Sequence, residues 1–292
     1  ALLDALNFCF WPDPTKPHAI ERRQGIERGP ADAPPISDDA PRWRVQWRGK
    51  WFNGYNALAV ALTRALEAGH PLWDAGYLAR MDAPTMRDIL RPDPDAAGHA
   101  VEIPLIEARV AHTREVGSVL SEHYDGQFAN VMAAAGRDAV TLALLMAQDF
   151  PSFNDIATWA GSDVRLLKRA QILVSDIASA FGNTGLGQVT RLDELTAFAD
   201  YKVPQLLRRL GILSYAPDLA TRIDHLELIP PGDPAEVAIR AATVWGVEWL
   251  RRALADQGVF VTAPAIDYRL WLAGQHVLAQ DRPYHRTRTI YY

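Results

Sequence analysis

The chain has a single cysteine, Cys9, among its 292 residues. A disulfide within the chain and a cysteine cage for a metal are therefore excluded, and a chain without disulfides is typical of a reducing compartment such as the cytoplasm. No apolar run reaches the roughly 18 residues of a membrane-spanning helix, so no membrane partner is expected. The sequence opens Ala1-Leu2-Leu3-Asp4, without Met and without the basic segment of a signal peptide, so we expect the native start to lie upstream.

An excess of basic residues is also absent. The chain carries 30 Lys and Arg residues against 35 Asp and Glu residues, for a formal net charge of −5. Binding to long nucleic acid depends on a basic footprint, so no stable nucleic-acid complex is expected. A local pocket can still be positive on an acidic protein, which leaves a small anionic ligand open.

The sequence lacks the spacing patterns of metal and nucleotide sites. None of its eight histidines forms a His-x-x-x-His pair, so we predict no metal site and no cofactor. Residues 182–187 (GNTGLG) hold three glycines, but no Lys-Ser/Thr pair follows them and no buried strand precedes them. This segment is better explained as a turn between two helices. A Gly-x-Ser-x-Gly nucleophile elbow does not occur either.

Apolar residues recurring at helical spacing predict a mainly α fold with a small β element near the N-terminus. Residues 6–11 (LNFCFW) favour a strand-like or extended piece, residues 12–42 a loop and residues 43–52 a β-hairpin. Further segments predict helices: 53–67, 84–90, 105–123, 126–148, 152–160, 162–181, an interrupted one at 190–210, 233–257, and one that opens at Pro264. The simplest organisation is one domain over 1–292, with a subregion 1–110 packed on a helical part 111–292 as the variant.

A break is predicted inside the apolar helical pattern at 190–210. Pro204 has no N–H, so the carbonyl of Asp200, four residues earlier, loses its helical partner. The chain must kink or restart there, which places Asp200 and Tyr201 near a helix N-terminus, where anions are favoured. From spacing alone, Asp200 is more simply a cap or a solvated turn residue than a catalyst.

Other charged and aromatic residues lie among apolar ones on the predicted helices. Lys168 lies on the helix 162–181, while Glu236, Arg240 and Trp245 share the helix 233–257, and Asp267 lies on the last helix. Glu236 and Arg240 stand four residues apart, so a simple ion pair also explains them. Together the set offers carboxylates, cations and flat aromatic walls, which suit a ligand made of a base and a sugar.

Long and unusual strings then connect the chain to a known family. They are LNFCFW (6–11), RGKWFNGYNAL (48–58), TRALEAGHP (63–71), YDGQFANV (124–131), FPSFND (150–155), LLKRAQILVSDI (166–177), FADYKVPQLLRRLGIL (198–213), EVAIRAATVW (236–245), IDYRLW (266–271) and HRTRTIYY (285–292). In these segments the chain resembles the queuosine salvage protein family, which releases the base queuine from queuosine 5′-monophosphate. The family's members usually carry more chain before the first of these strings.

The resemblance implies a helical fold related to the helix-hairpin-helix DNA glycosylases, and N-glycosidic hydrolysis without metal or cofactor. Carried over by position, the family's catalytic aspartate falls on Asp200 and its motif lysine on Lys168. A carboxylate beneath the ribose would stabilise the developing oxocarbenium ion and activate water. Tyr201, beside it, is expected to contact the substrate.

The remaining parts of this ligand suggest further binding residues. Queuine is a 7-deazaguanine without N7, so the leaving base needs hydrogen bonds at its other edge atoms, for which Asp267 and Glu236 are candidates. Candidates to stack on the base are Phe8, Phe10, Tyr55 and Trp245. Lys168 is the first choice for the 5′-phosphate, with Arg240 and the arginines of the tail 284–292 behind it, although Lys168 facing the sugar is equally compatible with the sequence.

Two rival functions stay open at this point. One is a DNA glycosylase with Lys168 as an amine nucleophile, which the acidic net charge disfavours. The other is a non-catalytic queuine- or nucleotide-binding protein, which would need the same pocket without a water-activating carboxylate.

Overall fold

The computed structural model describes residues 1–12, 42–276, 278 and 281–292. These residues divide into two compact units, of which the first ends at Phe128 and the second runs from Ala129 to Tyr292. The predicted loop at 12–42 lies almost wholly outside the described residues. Within them, helices predominate, as predicted, and the sheets are two antiparallel hairpins. No described helix is both long and apolar enough to cross a membrane.

The first unit consists of short helices and one hairpin. Its elements are α1 (Leu2–Ala5), β1 (Arg44–Trp47), β2 (Lys50–Asn53), α2 (Gly54–Glu67), α3 (Ala75–Ala79), α4 (Ala83–Ile89) and α5 (Ile106–His123). The predicted hairpin is confirmed, with Trp47 paired to Lys50 across a turn. Gly49 occupies this turn at φ 75°, a backbone conformation that glycine adopts without strain. The helices predicted at 53–67, 84–90 and 105–123 are confirmed within one or two residues.

The segment Leu6–Trp11 is not a strand, contrary to the prediction. It forms a buried irregular loop around Arg109 of α5, whose guanidinium donates to the carbonyl oxygens of Leu6 and Phe8. These carbonyls therefore bind a side chain instead of a neighbouring strand. The aromatic composition that suggested a strand reflects burial, because the guanidinium carbon of Arg109 also lies 4.3 Å from the ring centre of Phe8.

The second unit carries the longer helices. Its elements are α6 (Phe128–Ala134), α7 (Ala139–Asp149), β3 (Ile156–Trp159), β4 (Ser162–Arg165), α8 (Lys168–Ala180), α9 (Lys202–Arg209), α10 (Pro217–Asp224), α11 (Pro234–Asp256) and α12 (Ala263–Gly274). Short 3₁₀ turns lie at Pro151–Phe153, Gly185–Gly187 and Leu192–Glu194. The start of α11 is confirmed, since the side chain of Asp233 accepts from Ala235 N.

Three helix predictions in this unit were wrong in part. The segment 126–148 is two helices, because Gly136 and Arg137 take positive φ angles and Asp138 caps a new start. Residues 154–167 do not belong to helices. Ile156–Trp159 and Ser162–Arg165 form the hairpin β3–β4, whose turn Ala160-Gly161 also has positive φ angles. β-Branched and aromatic residues, such as Ile156, Thr158 and Trp159, suit a pleated strand better than a helix.

The interrupted helix at 190–210 exists only after the break. The chain before Asp200 is a 3₁₀ turn followed by irregular backbone, and α9 starts at Lys202 with Pro204 in its first turn. Proline costs no hydrogen bond there, since the first-turn N–H groups have no partner within the helix. One buried cluster joins α9, α11 and α12 through Val203, Leu207, Val247, Ile266 and Leu270. This packing holds the start of α9 against α12.

Candidate active site

Asp200 stands immediately before α9 and caps its first turn. Its Oδ1 accepts hydrogen bonds from the backbone N–H groups of Lys202 and Val203, both at 2.8 Å. Its second oxygen, Oδ2, accepts no hydrogen bond from the part of the chain that the structure describes. The side chain is buried, with the residue only 9% exposed. The helix start therefore fixes one carboxylate oxygen and leaves the other for a ligand.

The charge state of Asp200 reflects opposing influences. Burial raises the pKa of its carboxyl above the ordinary value, because a buried carboxylate loses its hydration. The positive charge of Lys168 and the two backbone N–H donors act in the opposite direction and favour the ionised form. Asp200 is thus a desolvated carboxylate with a cation near it.

Asp267, on α12, is the second carboxyl group at this place. It is buried, and its Oδ1 accepts from the backbone N–H of Phe198 at 3.0 Å. Burial, followed by the negative charge of Asp200, raises the pKa of Asp267 well above the ordinary value, although Phe198 and Lys168 oppose this shift. Two carboxyl groups that repel each other do not both ionise readily, so Asp267 holds its proton more strongly than a solvated aspartate.

Lys168 is the first residue of α8 and is 5% exposed. Its charge lowers the pKa values of both Asp200 and Asp267. Asp155 caps the start of α8, with Oδ2 accepting from Lys168 N at 3.1 Å and its backbone oxygen accepting from Leu166 N and Leu167 N. Three residues distant in sequence, Lys168, Asp200 and Asp267, therefore form one electrostatic group. We call it the carboxylate–lysine cluster.

Arg240 of α11 is buried beside this cluster. Its guanidinium nitrogens bind both carboxylate oxygens of Asp155, and its Nε donates to Ala199 O at 3.1 Å. It also lies 3.4 Å from an oxygen of Glu236, so the predicted i,i+4 pair is present. The hydrogen bonds of Arg240 are thus directed to protein groups, and we do not place it on the phosphate.

Glu236 has protein partners as well. The hydroxyl of Tyr292 donates to its Oε1 at 2.8 Å, and Gly232 N donates to its Oε2 at 3.2 Å. Tyr292 in turn lies under the guanidinium of Arg240, 4.3 Å from its carbon, and near His285 Nε2. Burial lowers the pKa of His285 to about 3, so this imidazole is neutral. The contacts of Glu236 therefore favour a supporting role over reading the base.

The predicted aromatic residues lie in different places. Tyr201 is half-buried next to Asp200, and its ring centre lies 4.7 Å from that of Tyr284. Trp245 is 53% exposed and contacts Trp249, with ring centres 6.4 Å apart. Trp245 therefore belongs to a solvent-facing side of α11 and not to the buried face that carries Glu236 and Arg240. The structure gives no support to its predicted stacking on the base.

Phe8, Phe10 and Tyr55 lie in the first unit. Phe8 is fully buried, with its ring tilted against His112 at 5.1 Å, and Phe10 stacks on Trp43 at 6.3 Å. Tyr55 is half-buried in the first turn of α2. The contacts described here are made within the first unit, and the contact of these three residues with a base stays a prediction.

Potential metal ligands are not grouped within the described residues. In that part of the chain no three His, Cys, Asp or Glu side chains lie close enough to hold a metal ion.

Comparison with known proteins identifies the family of the chain. Residues 1–292 match the family described as "Queuosine salvage protein". The chain belongs to this family. A queuosine 5′-phosphate N-glycosylase/hydrolase of Sphaerobacter thermophilus is 48% identical over 291 residues, which cover 100% of this chain and 80% of the relative. Relatives of the same name from Mus musculus and Schizosaccharomyces pombe are 35% and 33% identical, covering 100% and 92% of this chain and 80% and 72% of theirs.

Two residues of this queuosine salvage family member escaped prediction from the sequence. Asp155 closes the string FPSFND and Tyr292 closes the string HRTRTIYY. Neither has a local signal for burial, because Asp155 lies inside a segment predicted as helix and Tyr292 ends an aromatic and basic tail. Their partners, Arg240 and Glu236, are 85 and 56 residues away in sequence.

Proposed function

We propose that this chain hydrolyses the N-glycosidic bond of queuosine 5′-monophosphate and releases queuine. The observation that carries the proposal is the carboxylate–lysine cluster of Lys168, Asp200 and Asp267. Its two buried carboxyl groups differ in how strongly they hold a proton, and such a difference lets one act as a base and the other as an acid in glycoside hydrolysis. Family membership and the names of the relatives support the same activity.

Asp200 is the ionised member of the cluster. Breaking the bond between base and ribose builds positive charge on the ribose, and a nearby desolvated carboxylate stabilises that charge strongly. The two backbone N–H groups hold Oδ1 in place, so Oδ2 faces the reaction. As water attacks the anomeric carbon, Asp200 takes its proton.

Asp267 is the protonated member. The electron pair of the broken bond stays with the base, which then needs a proton. Because its pKa is raised well above the ordinary value, Asp267 is the better proton donor of the two carboxyl groups, and it gives its proton to an edge atom of the base. Proton uptake by Asp200 and proton release by Asp267 balance over one turnover.

Lys168 supports the negative charge of Asp200. Its charge favours ionisation of Asp200 and acts on Asp267 in the same direction. The carboxylate of Asp200 already compensates the charge of Lys168, so we assign Lys168 to the cluster rather than to the 5′-phosphate. This assignment takes the sugar-facing alternative of the sequence analysis.

The other predicted residues take more distant roles. Tyr201 and its partner Tyr284 form an aromatic pair beside Asp200 and offer a surface for the sugar or base. Arg240 binds Asp155 and Ala199 O, next to the cluster, and Glu236 pairs with Arg240. Base contacts from Phe8, Phe10 and Tyr55 rest on the family resemblance alone.

The fold relation and the cellular location that we propose each have their own support. A relation to the helix-hairpin-helix DNA glycosylases fits α9 and α10, which are short, joined through Gly211 at φ 72° and linked by the Arg208–Asp224 ion pair. A cytoplasmic location, with queuosine 5′-monophosphate and queuine as small-molecule partners, fits the single cysteine and the acidic net charge.

Incubation with queuosine 5′-monophosphate and mass spectrometry of free queuine tests the proposal. Stoichiometric binding without queuine release would favour a binding protein. A covalent adduct with damaged DNA, trapped by borohydride, would favour a DNA glycosylase that uses Lys168.

A further inference from the structure

A single carboxylate, that of Asp155, connects two parts of the second unit. It accepts the first N–H of α8, from Lys168, and it also receives the guanidinium of Arg240 from α11. The side chains of Asp155 and Arg240 are each 2% exposed. The position of Lys168 therefore depends on the same carboxylate that holds Arg240.

Arg240 extends this connection to the other carboxylate. Its Nε donates to the carbonyl of Ala199, the residue directly before Asp200. The planar guanidinium presents its donors in fixed directions, so one side chain binds Asp155 and Ala199 at the same time. Glu236 and the ring of Tyr292 occupy further sides of the same guanidinium.

We propose that Asp155 and Arg240 are a positioning pair that fixes Lys168 relative to Asp200. The inference rests on the proposed function. It adds two residues that act through Lys168 and Asp200, since the pair directs its hydrogen bonds to protein groups and not toward a ligand. A chain of three contacts runs from the start of α8, through Asp155 and Arg240, to the backbone before Asp200.

Burial of this pair gains little stability by itself. Desolvating two charges costs about as much free energy as their attraction returns, so an apolar pair would stabilise the fold equally well. Geometry is what the charged pair adds, because a misplacement of about 1 Å in an active site lowers turnover by about 100-fold. The guanidinium of Arg240 fixes two separate backbone segments relative to each other, namely the start of α8 and the residue before Asp200.

Arg240→Lys is the first test. Lysine keeps the charge but cannot bind both Asp155 oxygens and Ala199 O together, so kcat should fall by about 100-fold with a small change in KM. The fall of kcat at low pH, which we call the acid limb of the pH profile, should also move to higher pH. The reason is that displacement of Lys168 removes one of the positive charges that favour ionised Asp200. Lys202 then remains as a cation near Asp200, and Asp267 remains as the carboxyl group whose ionisation would compete with that of Asp200.

Arg208→Lys is the matched control. Arg208 also binds both oxygens of an aspartate, Asp224, in the same unit, at 2.8 and 3.3 Å. Its substitution should lower the melting temperature and leave kcat and the acid limb in place. Comparison of the two variants separates positioning from general destabilisation.

Asp155→Asn is the second variant, and it decides the matter if Arg240→Lys does not fold. It keeps the volume and an acceptor for Lys168 N but loses the ion pair. We expect kcat to fall by about tenfold with the same shift of the acid limb. In a Lys168→Met background the further loss should be less than about twofold, since the effect of Asp155 passes through Lys168.

Two results overturn the inference. One is a loss of stability in Asp155→Asn or Arg240→Lys with kcat and acid limb as in the wild type. The other is a full tenfold loss from Asp155→Asn in the Lys168→Met background. Failure of the wild type to release queuine would instead contradict the proposed function, so the two failures are distinguishable.

Discussion

Burial, and after it the negative charge of Asp200, raises the pKa of Asp267 in the second unit, where Asp200 is buried as well. Asp200 has two backbone N–H donors and Asp267 has one. The carboxyl group with more hydrogen-bond donors ionises first and then suppresses ionisation of the other. This inequality assigns a base-like role to one residue and an acid-like role to its neighbour.

Asp200→Asn should lower kcat by about 1,000-fold or more, because the neutral amide neither stabilises the ribosyl cation nor takes a proton from water. Folding and substrate binding should persist, since the amide oxygen still caps α9. Single-turnover kinetics and isothermal titration with the monophosphate measure both quantities. Asp138→Asn is the control, because Asp138 caps α7 through Thr141 N and should affect stability alone. Near-normal queuine release by Asp200→Asn would remove it from the catalytic role.

The pH dependence of kcat should be bell-shaped. Asp200 must be ionised, and its pKa is raised, so activity should fall as the pH drops through that raised value. Asp267 must be protonated, so activity should fall again as the pH rises through its higher pKa. Asp267→Asn should lower kcat about 100-fold and abolish the alkaline limb. An alkaline limb that persists in this variant would assign it to another group.

Lys168→Met should lower kcat and move the acid limb to higher pH, because the cation that favours ionised Asp200 is lost. The loss should be similar for queuosine 5′-monophosphate and for the unphosphorylated nucleoside. Parallel kinetics on the two substrates make this comparison. A much larger loss with the monophosphate would return Lys168 to the phosphate.

Asp267 should also make stability depend on pH. Its pKa is higher in the folded than in the unfolded chain, so the folded state retains the proton over a pH range in which the unfolded state releases it. Wild-type stability from this group is full below the ordinary carboxyl pKa and is lost as pH rises through the raised value. Calorimetry at pH 5 and pH 8 should show a melting temperature that falls more in the wild type than in Asp267→Asn, by at least about 2 °C. Equal pH dependence in both proteins would contradict the raised pKa.

Two aromatic substitutions should differ in their effect. Trp245→Ala should leave kcat/KM within about twofold of the wild type, because surface substitutions change free energies by at most about 0.5 kcal/mol. Tyr201→Ala should raise KM clearly, since it removes one ring of the pair beside Asp200. Steady-state kinetics on both variants decide this, and the reverse order would return Trp245 to the binding site.

Sequence reasoning reached the parts of the molecule that depend on local signals. The hairpin at 44–53, the cap at Asp233 and the restart forced by Pro204 each follow from residues within one turn. The hairpin β3–β4 was missed because its turn, Ala160-Gly161, interrupts a pattern that also fits helical periodicity. Residues 6–11 were misjudged because their hydrogen-bond partner, Arg109, is about a hundred residues away.

The candidate site divides in the same way. The helix break indicated Asp200 only as a cap, and the family resemblance was needed to propose both Asp200 and Lys168 as site residues. Asp155 was not, because its meaning lies in contacts with Arg240 and with the start of α8. Glu236 and Arg240 were found as a pair, but the partners that occupy them are long-range ones that spacing does not reveal.

Release of free queuine from queuosine 5′-monophosphate, followed by mass spectrometry for the wild type and Asp200→Asn side by side, tests the central claim most directly. The account predicts multiple turnovers by the wild type and a release at least about 1,000-fold slower by the variant, with the monophosphate still bound. No release by the wild type, or equal release by both proteins, would contradict it.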